Sequence, residues 1–192
     1  MGHEPQPMPG QTLREVPCPP CGGTGVRGDG PCGACHGSGR MRLYVPEPPL
    51  LLTGDGTYRL EPRGTGREER QAALLEIAGR KHQGGVNLDV DAMLVREPEN
   101  QYDPRAVRVE LAGPDGKSRL VGYLSREHAR DVVICLKDKM RATCRARIVG
   151  GWKREAEYRK KDGTERRAAS EGHFGVRLDV VLPIRGASEV TE

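Results

Sequence analysis

The strongest pattern in the chain is a period of two that begins near residue 87. Leu88, Val90, Ala92 and Leu94 alternate with Asn87, Asp89, Asp91 and Met93, as in a half-buried strand. Val107, Val109 and Leu111 alternate with Arg108 and Glu110 in a second strand. Gly-Pro-Asp-Gly at 113–116 is a turn, and residues 119–124 predict a third strand. Cys144, Ala146 and Ile148 alternate with Arg145 and Arg147, and Val176, Leu178, Val180 and Leu182 predict a last strand. Two segments change to helical spacing. Residues 67–78 place Leu74, Ile77 and Ala78 on one face, with Gly79 at the helix end. Residues 126–138 carry Ala129, Val132, Val133 and Leu136 at i, i+3, i+4 and i+7, with Ser125 as N-cap. Between the last two strands, 152–171 is charged, with Asp162-Gly163 as a hairpin signal. The order of elements predicts an α+β, mostly β fold or a small barrel, and excludes a parallel βαβ arrangement.

The first third reads differently. Residues 1–17 are Pro-rich and aperiodic and are expected to be disordered. Residues 18–40 hold four cysteines among eight glycines, and 41–66 read as a linker in which Leu50, Leu51 and Leu52 can dock on a neighbour. A second domain is expected over 67–184, with a tail at 185–192. Composition sharpens this division, because the 26 Gly and 15 Pro of the 192 residues crowd the N-terminal part. The net charge of +4 is too small to identify a partner, so the distribution of charge matters more. No stretch of apolar residues is long enough to span a membrane, and no secretory signal is visible, so the expected compartment is the cytoplasm. Thiols stay reduced there, which makes metal binding the first reading of the cysteines.

Cys18-Pro-Pro-Cys21-Gly-Gly-Thr-Gly and Cys32-Gly-Ala-Cys35-His-Gly-Ser-Gly both fit C-x-x-C-x-G-x-G. Two residues between cysteines let one tight turn present both thiolates, and the glycines let backbone N–H groups approach the sulfurs. Two such turns close a tetrahedron, so Cys18, Cys21, Cys32 and Cys35 are expected to bind one structural zinc ion. Arg27, Arg40 and Arg42 lie close enough in sequence to offset its negative charge. The units resemble the cysteine-rich zinc region of DnaJ-type co-chaperones. That family uses four repeats and a His-Pro-Asp signature where this chain has two repeats and none, so only the zinc geometry carries over. Two alternatives stay open: Cys32 to His36 also fits c-type haem attachment, and either pair fits thiol redox chemistry. Cys135 and Cys144 read as core thiols.

Residues 96–109, Arg-Glu-Pro-Glu-Asn-Gln-Tyr-Asp-Pro-Arg-Ala-Val-Arg-Val, precede Val-Gly-Tyr-Leu-Ser-Arg-Glu-His-Ala at 121–129. Together they resemble the HIRAN domain family across roughly 67–183. The resemblance implies a small OB-like β-barrel that binds nucleic acid, with single-stranded DNA and free 3′ ends as ligands in DNA repair or processing. It also implies a helicase-like ATPase or another repair protein as partner. Asn100, Tyr102 and Asp103 would line an end-binding pocket, with Tyr123 and Arg126 nearby. The residues themselves fit this and also fit a turn: Tyr102 offers a stacking face, while Asn-x-Tyr-Asp-Pro is a good turn sequence. In the loop before the first long strand, where DNA-binding members carry aromatics, His82 can stack and Lys81 can meet a phosphate. Residues 141–167 hold ten Lys or Arg and four Asp or Glu. Arg145, Arg147, Trp152 and Lys153 are its candidate nucleic-acid contacts, a solvated hairpin being the alternative.

No P-loop, dinucleotide fingerprint, zinc-protease or nucleophile-elbow motif is present, so no enzyme is expected. Asp89, Asp91 and Asp103 suggest a nuclease cluster only weakly, and any motor would belong to a partner. The competing class is a zinc-dependent protein-interaction adaptor that binds no nucleic acid.

Overall fold

The computed structural model describes residues 10–159, 165–181 and 183–184. The chain divides into two units, Met1–Pro48 and Pro49–Glu192.

In the first unit, β1 (Gln11–Pro17) pairs antiparallel with a strand over Arg40–Pro46, in register from Gln11 opposite Pro46 to Pro17 opposite Arg40. Between them lie a 3-10 turn at Pro19–Cys21 and a short hairpin of β2 (Val26–Arg27) and β3 (Gly30–Pro31), which makes Arg40–Pro46 β4. This corrects two expectations. Residues 11–17 are a strand rather than disordered chain, and 40–46 are its partner rather than linker. The pairing joins segments almost thirty residues apart, so neither segment carries a local signal for it. Residues 1–9 lie outside the described residues.

The second unit is built on one mixed sheet. Its strands are β5 (Leu50–Leu51), β6 (Val86–Arg96), β7 (Val107–Ala112), β8 (Ser118–Tyr123) and, after the second helix, β9 (Arg141–Gly150). A separate ribbon, β10 (Lys153–Arg159) with β11 (Glu165–Glu171), precedes the last sheet strand, β12 (Phe174–Asp179). The sheet order is β12-β9-β6-β7-β8, and β5 adds in parallel to β9 at Ala142 and Thr143. The helices are α1 (Glu68–Ala78) and α2 (Arg126–Leu136). Ser125 caps α2 as predicted, its hydroxyl accepting from the His128 amide at 3.3 Å. The inward-facing residues that the alternation predicts, among them Ala92, Leu94, Val107, Val109, Leu111, Ala146 and Ile148, are buried. Leu182 and the Asp162-Gly163 turn lie outside the described residues.

The mostly β architecture with two helices is the predicted one, but the sheet does not close into a barrel. β8 and β12 remain edges. The segment after Pro49, expected to be linker, crosses between them: Leu60 exchanges backbone hydrogen bonds with Leu178 of β12, and Arg63 with Tyr123 of β8. Each contact is a single bridge, too short to make a strand. Leu52, Tyr58 and Leu60 are buried in the process.

Helix α1 covers the same gap with two adjacent polar residues. Gln71 Oε1 accepts from the Phe174 amide and its Nε2 donates to the Phe174 carbonyl, both at 2.8 Å, so the carboxamide acts as a missing strand partner for β12. Arg70 is buried, donates from Nη1 to the Gly64 carbonyl at 2.7 Å and stands over the Tyr123 ring of β8 at 5.2 Å. Replacing Gln71→Leu keeps bulk but leaves the Phe174 groups unpaired. Urea denaturation should show a loss of about 1–3 kcal/mol; an unchanged midpoint would mean that α1 docks through its apolar residues alone.

Candidate functional site

The four N-terminal cysteines converge. Their sulfurs all lie within 4.8 Å of one another, with Cys18 to Cys32 and Cys21 to Cys35 each at 3.8 Å. A tetrahedral ion with metal–sulfur bonds of about 2.3 Å places its sulfurs about 3.8 Å apart, so the cluster fits a metal ion. The two turns are near copies. The Cys18 amide donates to Gly39 O at 2.8 Å and the Cys32 amide to Gly25 O at 2.7 Å. Thr24 and Ser38 hydroxyls donate to Cys21 O and Cys35 O, both at 2.7 Å. Gly25 and Gly39 have φ of +78° and +71°, and a Cβ at either would overlap a carbonyl oxygen of the opposite turn. Burial pushes the Cys18 thiol up to about 12. Burial also opposes ionisation of Cys21, but the Gly25 amide, 3.3 Å from its sulfur, helps bring it down to about 6.

In the second unit, the loop between β6 and β7 is fixed by its own side chains. Asn100 Oδ1 accepts from the amides of Tyr102 at 3.0 Å and Asp103 at 3.2 Å, and its Nδ2 donates to Glu97 Oε2 at 2.8 Å. Arg108 Nη1 meets the other Glu97 oxygen at 3.0 Å, and its Nε meets Glu110 at 2.6 Å. Burial alone would raise the Glu97 carboxyl, but the bonds from Asn100 and Arg108 outweigh it and hold the carboxyl below its ordinary range. Asp103 Oδ1 accepts from the Arg105 amide, and Oδ2 lies 3.6 Å from Arg126 Nε. This leaves Tyr102 standing out, 94% exposed, at a cleft of about 670 Å³. Asp103, Arg105, Arg126 and Arg130 also line the cleft.

The remaining candidates are elsewhere. Lys81 and His82 meet Trp152 and Lys153 at the opposite end of β6. The His82 amide donates to Gly151 O at 3.2 Å, the Lys153 amide donates to His82 O at 3.0 Å, and Glu171 bridges Lys81 at 2.8 Å and Lys153 at 3.4 Å. An eleven-residue strand at about 3.3 Å per residue puts this group roughly 30 Å from the Tyr102 loop. Arg147 is held by Asp89 at 2.6 Å and lies over the Tyr58 ring at 4.0 Å. Arg145 is exposed on the same sheet face, opposite Asp91. Tyr123 is half-buried between Arg70 and Glu97 and does not line the cleft.

Residues 72–159 match the HIRAN domain family. This is a family of binding domains generally linked to DNA binding. No curated protein and no solved structure matches the chain. The HIRAN match begins inside α1 and ends with β10, so β11 and β12 lie beyond it. Within the matched segment the Asn-x-Tyr-Asp run forms the turn, with Asn100 bonding it and Tyr102 exposed on it. Sequence reasoning missed Glu97 and Arg108, whose pairing crosses two strands, and Arg105. It also missed Arg130, although an arginine one helical turn after Arg126 was a usable signal.

Two predictions follow from this geometry. Gly25→Ala should prevent the two cysteine turns from closing, reducing bound metal from about one ion per chain to none by elemental analysis. Full metal content would show that the turns can separate and still bind. Because the native Glu97 carboxyl is depressed, the order it gives the loop is complete above about pH 4.3 and is lost as pH falls through its lower native value. Amide exchange at Tyr102 and Asp103 should accelerate in that range in the wild type and be fast at neutral pH in Glu97→Gln. Equal protection in both proteins would remove Glu97 from this role.

Proposed function

We propose that the chain is a DNA-binding adaptor with a structural zinc module and a HIRAN domain that takes single-stranded DNA, or its free 3′ end, at the Tyr102 cleft. The observation that carries this reading is an aromatic ring 94% exposed on a loop tied together by its own side-chain hydrogen bonds. A base can stack on Tyr102, Asp103 can accept from a terminal hydroxyl, and Arg126, Arg105 and Arg130 can meet phosphates. Lys81 and His82 are too distant for that cleft and would meet only a longer strand. Asp89 is tied to Arg147, and Asp103 sits past the far end of β6, so these carboxylates form no shared nuclease centre. On this reading the protein contributes recognition to DNA repair or processing, and a helicase-like partner contributes any ATP hydrolysis.

Zinc is the proposed ion because four thiolates in a tetrahedron select it over hard cations. Its binding, worth roughly 10–16 kcal/mol in small finger peptides, replaces the apolar core that the first unit lacks. A second reading, a zinc-dependent protein-interaction adaptor, draws on the apolar side chains exposed in that unit, Leu13 and Val26. A pull-down that survives nuclease and requires Leu13 and Val26 would favour it.

The first reading is tested by fluorescence anisotropy against single strands ending in a 3′ hydroxyl or a 3′ phosphate. Tight, salt-sensitive binding is expected, stronger for the hydroxyl. Tyr102→Ala should cost about 1–3 kcal/mol of binding with thermal stability unchanged. Equal binding to both strands would remove end recognition, and binding indifferent to Tyr102 would remove the cleft.

A further inference from the structure

Among the described residues β10 and β11 pair only with each other, and every described side chain on them is exposed. A two-stranded ribbon in water is marginal without a packed face. The described side chains here include nothing apolar larger than alanine. The base of the ribbon is nonetheless fixed. Trp152 and Gly172 are joined backbone to backbone at 2.8 Å, and Trp152 forms a bridge with His82.

The register sorts the charges. Lys153 lies opposite Glu171, Glu155 opposite Ala169, Glu157 opposite Arg167, and Arg159 opposite Glu165. All four acidic positions of the two strands therefore fall on one side of the pleat. That side is neutralised by ion pairs of Glu171 with Lys81 and Lys153, and of Glu157 with Arg167 at 2.6 Å. The other side has Arg154 opposite Ser170, Ala156 opposite Ala168 and Tyr158 opposite Arg166, with no acidic position. The Arg154 guanidinium stands 5.2 Å from the Trp152 ring centroid, and the indole packs so tightly on Gly172 that a Cβ there would overlap it. Trp152 is thus a base plate for Arg154 and not an open platform for an unpaired base.

We propose that the Arg154–Ser170 face of this ribbon is a second nucleic-acid site, and that its ligand is duplex, entered through the major groove. The major groove admits a two-stranded ribbon. The described side chains of that face, arginine, serine and alanine, offer the groove charge, hydrogen bonding and close approach. The site goes beyond the cleft reading and stands roughly 30 Å from Tyr102, so one chain can hold a duplex and an unpaired end together.

The full-length chain is titrated by anisotropy with a short blunt duplex bearing 3′ phosphates and, separately, with a single strand bearing a 3′ hydroxyl. Arg154→Glu and Ser170→Glu, both at exposed positions, should each weaken duplex binding about tenfold and lower its salt slope by about one. Both should leave the single strand unaffected. Glu155→Lys, on the opposite side, should change neither. Tyr102→Ala should show the reverse pattern, so failure of the cleft is separable from failure of the ribbon. The proposal is overturned if the wild type does not bind the duplex, or if both ribbon variants bind it normally. It is also overturned if single-strand binding falls in parallel, or if Glu155→Lys strengthens binding as a pure net-charge effect would.

Discussion

The second unit depends on how an unclosed sheet finishes its two edges. An edge strand presents a row of unpaired donors and acceptors, and burying them unpaired costs more than the net value of a hydrogen bond. Here the remedy is divided between a single crossing segment and two neighbouring side chains of α1. Gln71 supplies β12 with a peptide-like partner, while Arg70, buried beneath, reaches the ring of Tyr123 on β8. The helix that covers the gap therefore also sets the distance between the edges. β8 in turn leads directly into α2, which carries Arg126 and Arg130.

The first unit solves the opposite problem, having almost no core to pack. Its order comes from repetition, two turns of the same hydrogen-bond pattern facing one another and each donating an amide to the other's glycine. Side chains are excluded from the points of closest approach, so the turns meet backbone to backbone. The four-cysteine cluster is the centre of this arrangement.

Much of this was legible in sequence. Period-two alternation located β6, β7, β9 and β12, and helical spacing with Ser125 located α2, because half-buried elements write their burial into residue order. The cysteine cluster was equally plain, since its spacing is its geometry. What could not be read was pairing at a distance. Nothing local in Gln11–Pro17 announces a partner at 40–46, and nothing in Leu60 announces a bridge to Leu178. The Tyr102 loop and the group of Lys81, His82, Trp152 and Lys153 lie at opposite ends of β6, a separation that residue order does not announce. The composition of 141–167 showed an excess of positive charge. Only the register shows that all the ribbon's acidic positions lie on one side.

Asn100 carries a last consequence. Both ends of its carboxamide are committed within its own loop. The conformational freedom that a binding loop commonly surrenders when its ligand arrives has here been surrendered during folding. On the proposed reading the backbone beneath Tyr102 is set before the ligand arrives, so capture should be governed by encounter and release by stacking, with little reorganisation between them. On that reading a scan that ranks residues by lost affinity would place Asn100 beside Tyr102, although one would act before the ligand arrives and the other only after.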